Sequence, residues 1–132
     1  MQRADTNGRV LRLAAQPEAA GLARSAAVAL ADELGVAPEA RNSIAVAVTE
    51  AVANVVVHAY RGSHEGMVEV ALRVDDDCLE VIVSDAGVGM RPRNDSPGLG
   101  LGLGLMAALA DRFEVTPGAA GGTDVRLAFR LR

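Results

Sequence analysis

The stretch Ala40–Tyr60, ARNSIAVAVTEAVANVVVHAY, decides how this chain is expected to fold. Apolar residues fill most of its positions, and three polar residues interrupt its second half: Glu50, Asn54 and His58. Their spacing of four predicts that they share one face of an α-helix, which has about 3.6 residues per turn. A carboxylate, an amide and an imidazole are costly to bury without partners. The row is therefore either a solvated stripe on a surface helix or part of a binding site.

The composition limits the classes of protein to which the chain can belong. Its 132 residues are enough for a single core, so we expect one domain over residues 1–132, with 1–8 as a flexible N-terminus. Half of the residues are hydrophobic and the net charge is -4. With no basic run and few aromatic residues, direct nucleic-acid binding is not expected.

Lysine is absent, and all thirteen basic residues are Arg. This excludes a Walker A phosphate loop, the strand lysine of eukaryotic-type protein kinases and Schiff-base chemistry, which all need an amine. Any nucleotide bound here must be held without lysine.

The location of the protein is predicted from its hydropathy and its one cysteine. The start, MQRADTNGRV, lacks the apolar stretch of a signal peptide. The longest apolar run, Gly98–Ala110, is too short and too rich in glycine to span a bilayer. We therefore expect a soluble, cytoplasmic protein with no membrane partner. Cys78 cannot form an intrachain disulfide and is predicted to be a small core residue.

The order of predicted elements is β-α-α-β-β-loop-α-β-β. Glycine, proline and hydrophobic periodicity place them at Gly8–Ala15, Pro17–Gly35, Pro38–Tyr60, Met67–Val74, Leu79–Ser84, Leu99–Leu109, Phe113–Thr116 and Thr123–Leu131. In the first helix, one face is predicted to carry Leu22, Ala26, Ala29, Leu30 and Leu34. Hairpins joined to helices predict an α/β (α+β) two-layer sandwich, with a mixed, mostly antiparallel sheet and helices on one face.

Two glycine-containing motifs follow the second hairpin. Asp85-Ala-Gly87-Val-Gly89 comes directly after a strand, so the carboxylate is a fixed acceptor suited to an amino group such as that of adenine. The run from Gly98 to Leu105, GLGLGLGL, leads into a helix, and its backbone N–H groups are predicted to cradle an anion. Taken alone, the DxGxG motif is more typical of an ordinary Gly-rich turn. For the glycine run the alternative is a low-complexity loop, which the helix that follows immediately makes less favoured.

The order and spacing of these motifs together resemble the GHKL ATPase superfamily, which has a Bergerat-type ATP-binding fold. The resemblance is carried by Glu50-x-x-x-Asn54-x-x-x-His58, Asp85-x-Gly87-x-Gly89, the glycine run and Gly122-Thr123. Within the superfamily, TEAVANVVVHAY, the short DAGVGM-to-GLGLGL loop and LMAALAD are similar to the serine kinase anti-sigma factors of sporulation and general stress response. The resemblance covers the chain from about Leu11 to Leu131.

The resemblance implies specific roles for residues that bind ATP and magnesium. Asn54 would be the Mg²⁺ ligand and Glu50 the catalytic general base. Asp85 would bind adenine with help from Thr123 through water. The other nucleotide-binding positions would be glycines: Gly87 and Gly89 at the adenine, and Gly98, Gly100, Gly102 and Gly104 toward the phosphates. The usual family lysine is missing, so Arg91 or Arg93 is expected to supply positive charge, while the role of His58 stays open.

The resemblance also implies partners. The expected activity is that of a serine/threonine protein kinase that phosphorylates an anti-sigma-factor antagonist and sequesters a sigma factor, and that forms a homodimer through the first strand and the Ala-rich first helix. The alternative is an ATP-binding partner-switching module without catalysis. Glu50 favours the kinase, because a module that only binds has no need of a carboxylate one turn from the magnesium ligand. An unrelated Ala/Val-rich scaffold without nucleotide is a third alternative.

Overall fold

The computed structural model describes residues 8–60, 66–87, 97–118 and 121–131. Over these ranges the chain forms five strands, three α-helices and one wider helical turn. In chain order they are β1 (Gly8–Ala14), α1 (Glu18–Glu33), α2 (Pro38–Asn54), the π-helical turn Val55–Ala59, β2 (Met67–Asp75), β3 (Cys78–Asp85), α3 (Pro97–Leu109), β4 (Arg112–Pro117) and β5 (Thr123–Arg130).

The strands form one sheet in the order β1-β2-β3-β5-β4. The sheet with helices against one face confirms the predicted two-layer α/β sandwich. Every pairing among the described strands is antiparallel, so over these residues the sheet is fully antiparallel rather than mixed as predicted. Alternate side chains of the three central strands are buried beneath the helices: Val68, Val70, Leu72, Leu79, Val81, Val83, Val125, Leu127 and Phe129. The period of two seen in the sequence therefore marks the core face.

Helix α2 lies in the centre of the core. Its apolar side chains Ile44, Val48 and Val52 are fully buried, and it contacts α1, α3 and the central strands β3 and β5. Together with the turn that follows, Pro38–Ala59 is the one segment of the described chain with the length and apolar composition of a membrane span. Its packing accounts for that composition, because the apolar side chains cover the sheet.

Helix α1 contacts α2 through alanines rather than through the face predicted from the sequence. Its buried residues are Ala19, Ala23, Ala27, Leu30 and Ala31, whereas Leu22 is 55% exposed and Leu34 is 37% exposed. Of the predicted face, Leu30 is buried and Ala26 packs against the core, whereas the prediction was wrong for Leu22, Ala29 and Leu34, which are exposed. Small side chains spaced by four let two helix backbones approach closely, which leucine would prevent.

The open face of the sheet is crossed by ion pairs. Arg12 bonds Glu69 at 2.9 Å and Arg73 bonds Glu80 at 3.0 Å, each between neighbouring strands. Cys78 lies at the start of β3 on this face and is half-buried, so the prediction that it is a core residue was wrong. Exposed pairs of this kind contribute less than about 1 kcal/mol each, so stability comes from the buried face.

The close approach of α1 and α2 can be tested by enlarging one alanine. Ala27→Leu should lower the free energy of unfolding by about 1–3 kcal/mol, because Ala27 is fully buried between elements that cannot separate without losing core contacts. Ala29→Leu adds the same atoms at an exposed position of the same helix and should change it by less than about 0.5 kcal/mol. Urea unfolding measures both, and equal effects would contradict this packing.

Candidate functional site

The polar residues that are buried within the described part of the chain are Asn54, Asp85 and Thr123. Their side chains are between 3% and 6% exposed. All three are site residues that the sequence predicted. They come from three elements, the end of α2, the end of β3 and the start of β5, which meet at one end of the sandwich.

Asp85 is the last residue of β3, and its main-chain partner in β5 is Thr123. The N–H of Gly87 donates to Asp85 Oδ1 at 2.9 Å, while Oδ2 is buried and has no hydrogen-bond partner among the described residues. Burial raises the pKa of Asp85, the backbone N–H groups of Gly87 and Thr123 oppose that rise, and nearby Asp124 adds to it. One carboxylate oxygen is thus held by the protein, and the other is available to a donor.

Two glycines allow backbone segments to lie close on either side of this strand end. A Cβ at Gly87 would collide with the carbonyl oxygen of Ala59, at the end of the turn after α2. A Cβ at Gly122 would collide with the carbonyl oxygen of Asp85, and Gly122 also has a φ of +75°, in the left-handed region. Because backbone atoms cannot move aside as side chains can, both positions require glycine.

Asn54 ends the α-helical part of α2, and Glu50 lies one turn earlier, half-buried. The Nδ2 atom of Asn54 is buried without a hydrogen-bond partner among the described residues. As placed, this amide offers a donor, which suits a phosphate oxygen or water. Rotating the amide by half a turn offers Oδ1 instead, the atom that a divalent cation requires.

The predicted row of polar residues ends at Asn54. From Val55 to Ala59 the helix widens into a π-helical turn, so His58 is not on the regular α-helical row of Glu50 and Asn54. His58 is half-buried in that turn. Turns of this type occur often at functional sites and redirect the residues that follow. Here those residues are Ala59, which contacts Gly87, and Tyr60.

The glycine run lies inside α3, which begins at Pro97, two residues before its predicted start. In an α-helix the first four N–H groups have no partner within the helix. The N–H groups of Gly98 and Gly100 belong to this first turn, whereas those of Gly102 and Gly104 lie where helical hydrogen bonds use them. Gly104 is exposed, and a Cβ there would meet no atom within 4 Å. Gly89, Arg91 and Arg93 lie outside the described residues.

Sequence reasoning treated Tyr60 only as the end of a helix. Its hydroxyl donates to the carbonyl oxygen of Met67 at 2.6 Å and accepts from the N–H of Ala86 at 2.9 Å. The signal in the sequence was that this is the one tyrosine of the chain and that it directly follows the polar row. Its partners are backbone atoms, which every residue type has, so the sequence does not reveal these hydrogen bonds.

Comparison with known proteins agrees with this geometry. The family profile described as a histidine kinase-like ATPase domain matches residues 13–129. The chain belongs to this family. The predicted resemblance to the GHKL superfamily is confirmed, and the family implies binding of ATP.

Relatives in the family are serine-protein kinases named RsbW. The protein of Bacillus licheniformis is 33% identical over 116 residues, a match that covers 76% of this chain and 72% of that protein. The protein of Bacillus pumilus is 33% identical over 122 residues, covering 80% and 75% respectively. The protein of Listeria innocua is 39% identical over 77 residues, which are 58% of this chain and 49% of that protein, so the chain spans about half of this relative's length.

A solved structure supports the same family at the level of the fold. The crystal structure of the RsbU and RsbW domains of Rv1364c from Mycobacterium tuberculosis superposes with a TM-score of 0.74 at 26% identity. The match covers 94% of this chain and 32% of that chain. With the relatives above, it assigns the chain to the anti-sigma factor kinase branch of the GHKL superfamily.

The residues present fit a nucleotide of this family. Asp85 Oδ2, which no described residue bonds, is an acceptor for an amino group, and the buried Asn54 amide lies on the neighbouring helix. Within the described residues no group of three or more His, Cys, Asp or Glu side chains is arranged to hold a metal ion. A cation at Asn54 would therefore need further oxygen ligands from phosphates and water.

The raised pKa of Asp85 predicts how stability without nucleotide depends on pH. In the folded chain the carboxyl keeps its proton to a higher pH than in the unfolded chain. Its destabilising contribution is therefore absent below the ordinary aspartate pKa, grows as the pH rises through the window up to the raised folded value, and is constant above it. Asp85→Asn removes this contribution, so the stability of the variant relative to wild type should increase with pH across that window.

Urea unfolding at a series of pH values, without nucleotide, measures this difference. Asp75→Asn, which removes an exposed carboxylate from the last residue of β2 at the other end of the sheet, controls for the change in net charge. A stability difference between Asp85→Asn and wild type that does not vary with pH would show that burial of Asp85 does not control its protonation.

Proposed function

We propose that this chain is an ATP-dependent serine/threonine protein kinase and anti-sigma factor. It phosphorylates an anti-sigma-factor antagonist and sequesters a sigma factor by partner switching. The observation that carries the proposal is the buried carboxylate of Asp85, with Oδ1 bonded to the Gly87 N–H and Oδ2 unpartnered among the described residues, in a chain of the anti-sigma factor kinase family.

Selection of adenine rests on Asp85. Its Oδ2 accepts a hydrogen bond from the exocyclic amino group of the base, which replaces the water lost on burial. Guanine presents a carbonyl oxygen at the corresponding position, and two acceptors facing each other repel. Gly87 and Gly89 shape the pocket that surrounds the base, and Thr123 assists through a water molecule.

The phosphates and the cation lie between α2 and the start of α3. Asn54 is the protein ligand of Mg²⁺, and the phosphates and water complete the coordination. Gly98 and Gly100 donate their free N–H groups, and the positive end of the helix dipole adds to the attraction. Gly102 and Gly104 contribute by leaving space beside the helix rather than by donating.

Glu50 is the general base. ATP supplies the phosphoryl group, and a Mg²⁺ ion held by Asn54 would offset its negative charge. Glu50 takes the proton of the attacking serine hydroxyl while the oxygen forms a bond to the γ-phosphorus and the bond to the bridging oxygen of ADP breaks. Its position one turn before Asn54, the proposed magnesium ligand on the same helix, supports this role.

The assembly follows from the family and from the surfaces left exposed. We propose that residues 1–132 act as one domain in the cytoplasm and form a homodimer. The alanine face of α1 is covered by α2, so a dimer surface on these elements would use either Leu22 on the helical layer, which is 55% exposed, or Val10 on the open face of β1, which is 59% exposed.

Nucleotide selection is tested by thermal unfolding. Mg-ATP should raise the Tm of the wild-type protein by mass action, and Mg-GTP should raise it much less. Asp85→Asn should remove most of the ATP effect while remaining folded without nucleotide, because an amide in place of Oδ2 turns a donor toward the amino group. Equal stabilisation by ATP and GTP would contradict the role of Asp85.

The chemical step is tested with Glu50→Gln, radiolabelled ATP and candidate antagonist proteins from the same genome. Phosphate transfer should fall by about 10²- to 10⁴-fold while the Kd for ATP changes by only a few-fold. Glu39→Gln removes an exposed carboxylate from the first turn of the same helix and should leave transfer unchanged. Transfer at the wild-type rate in Glu50→Gln would favour a module that binds ATP and partners without catalysis.

A further inference from the structure

Tyr60 connects three parts of the chain through one hydroxyl group. It follows the π-helical turn, donates to the carbonyl oxygen of Met67 at the start of β2, and accepts from the N–H of Ala86, the residue after Asp85. Its ring covers Gly66, where a Cβ would collide with the ring carbons. The side chain therefore fixes the end of β3 relative to the end of the helix that carries Glu50 and Asn54.

The two backbone N–H groups that follow Asp85 bond two different acceptors. The N–H of Ala86 bonds the Tyr60 hydroxyl, and the N–H of Gly87 bonds Asp85 Oδ1. Holding the first restricts rotation of the backbone that carries the second. Because Gly87 also lies against the Ala59 carbonyl, the pair Ala59–Tyr60 holds the pair Ala86–Gly87 on two sides.

We propose that Tyr60 is a positioning residue for recognition of the adenine amino group. Its hydroxyl fixes the Ala86–Gly87 backbone so that Asp85 keeps Oδ1 on the protein and presents Oδ2 to the base. This inference rests on the proposed function, in which Asp85 selects adenine.

The location of these bonds separates positioning from stability. Both hydrogen bonds of the Tyr60 hydroxyl are at the surface, so water can satisfy the two backbone groups when the hydroxyl is removed, but a water molecule is not attached to the chain and does not fix their positions. The carboxylate that they orient is buried, and a buried acceptor tolerates little misalignment. Loss of the hydroxyl should therefore affect recognition of the amino group more than folding.

Tyr60→Phe tests the inference, since it keeps the ring over Gly66 and removes only the hydroxyl. Calorimetry measures the Kd of two magnesium-bound ligands, ATP and purine riboside triphosphate, which lacks the exocyclic amino group. The variant should bind ATP about 3- to 10-fold more weakly, the usual effect of one misplaced hydrogen bond, and should bind purine riboside triphosphate within about twofold of wild type.

Thr49→Val is the matched control. Its hydroxyl also donates to a backbone carbonyl, that of Ala45 at 2.7 Å, so its hydrogen bond stays within α2 rather than reaching the loop after Asp85. It should leave both affinities unchanged. Equal weakening of both ligands in Tyr60→Phe would indicate a merely structural role and overturn the inference, as would unchanged ATP binding.

The wild-type measurement separates this inference from the proposed function. If wild type binds both ligands equally, Asp85 does not select adenine and both proposals fail; if it prefers ATP and Tyr60→Phe keeps the full preference, only the role of Tyr60 fails. Amide hydrogen exchange gives a second readout that does not need the variant to fold. The Ala86 N–H of the wild-type protein should be protected without nucleotide, and rapid exchange there would overturn the inference.

Discussion

The contact between the Ala59 carbonyl oxygen and the backbone of Gly87 is the constraint on which the site depends. It joins the end of the central helix to the end of the central strand, so Asn54 and Asp85 are held at the same end of the sandwich. On the other side of the strand end, Gly122 lies against the Asp85 carbonyl. Both approaches are made by backbone atoms. Their geometry therefore does not depend on side-chain rotamers and is more rigid than a side-chain contact would be.

This rigid frame holds polar groups that the described residues do not fully satisfy. A buried donor or acceptor without a partner costs about 1–3 kcal/mol, and within the described ranges Asn54 Nδ2 and Asp85 Oδ2 are two such atoms. The valine and alanine core beneath them offsets that cost. A ligand that supplies an acceptor for one atom and a donor for the other removes it. Binding therefore gains the free energy that these two atoms cost in the unliganded protein. This gain depends on matching donors and acceptors, so it favours recognition by hydrogen-bonding pattern over recognition by shape alone.

Much of the fold could be predicted because the hydrophobic periodicity of each element agrees with the glycines and prolines that mark its ends. Alternating valines identified the buried face of β2 and β3, and Gly35, with a φ of +71°, ends α1 where predicted. The face of α1 could not be predicted in this way. A prediction from hydrophobic periodicity expects leucine to be buried in preference to alanine, so the exposed Leu22 was assigned to the core. The contact with α2 instead requires side chains of small volume, which alanine provides.

Most of the candidate site was predictable for a different reason. Asn54 interrupts an apolar helix and Asp85 ends an apolar strand, so both stand out in the sequence even though their structure is unknown. Thr123, between Gly122 and Asp124, has no such signal and was predicted from the family resemblance alone. A change in the number of residues per turn has no such signature. The turn Val55–Ala59 has the same apolar composition as the helix before it, so nothing in the sequence indicated that the α-helix ends. His58, four residues after Asn54, was therefore predicted to lie in the same row.

The wider turn also explains which residues reach the strand end. A π-helical turn contains about one more residue than an α-helical turn. Every later residue is therefore rotated about the helix axis by roughly 100° from the position that a regular α-helix would give it. Glu50 and Asn54, which precede the turn, stay together on the α-helical face, while Ala59 and Tyr60 are redirected toward Gly87 and Ala86. A single turn thus separates the two tasks of this helix: its α-helical part carries the polar side chains, and its end holds the loop that orients Asp85.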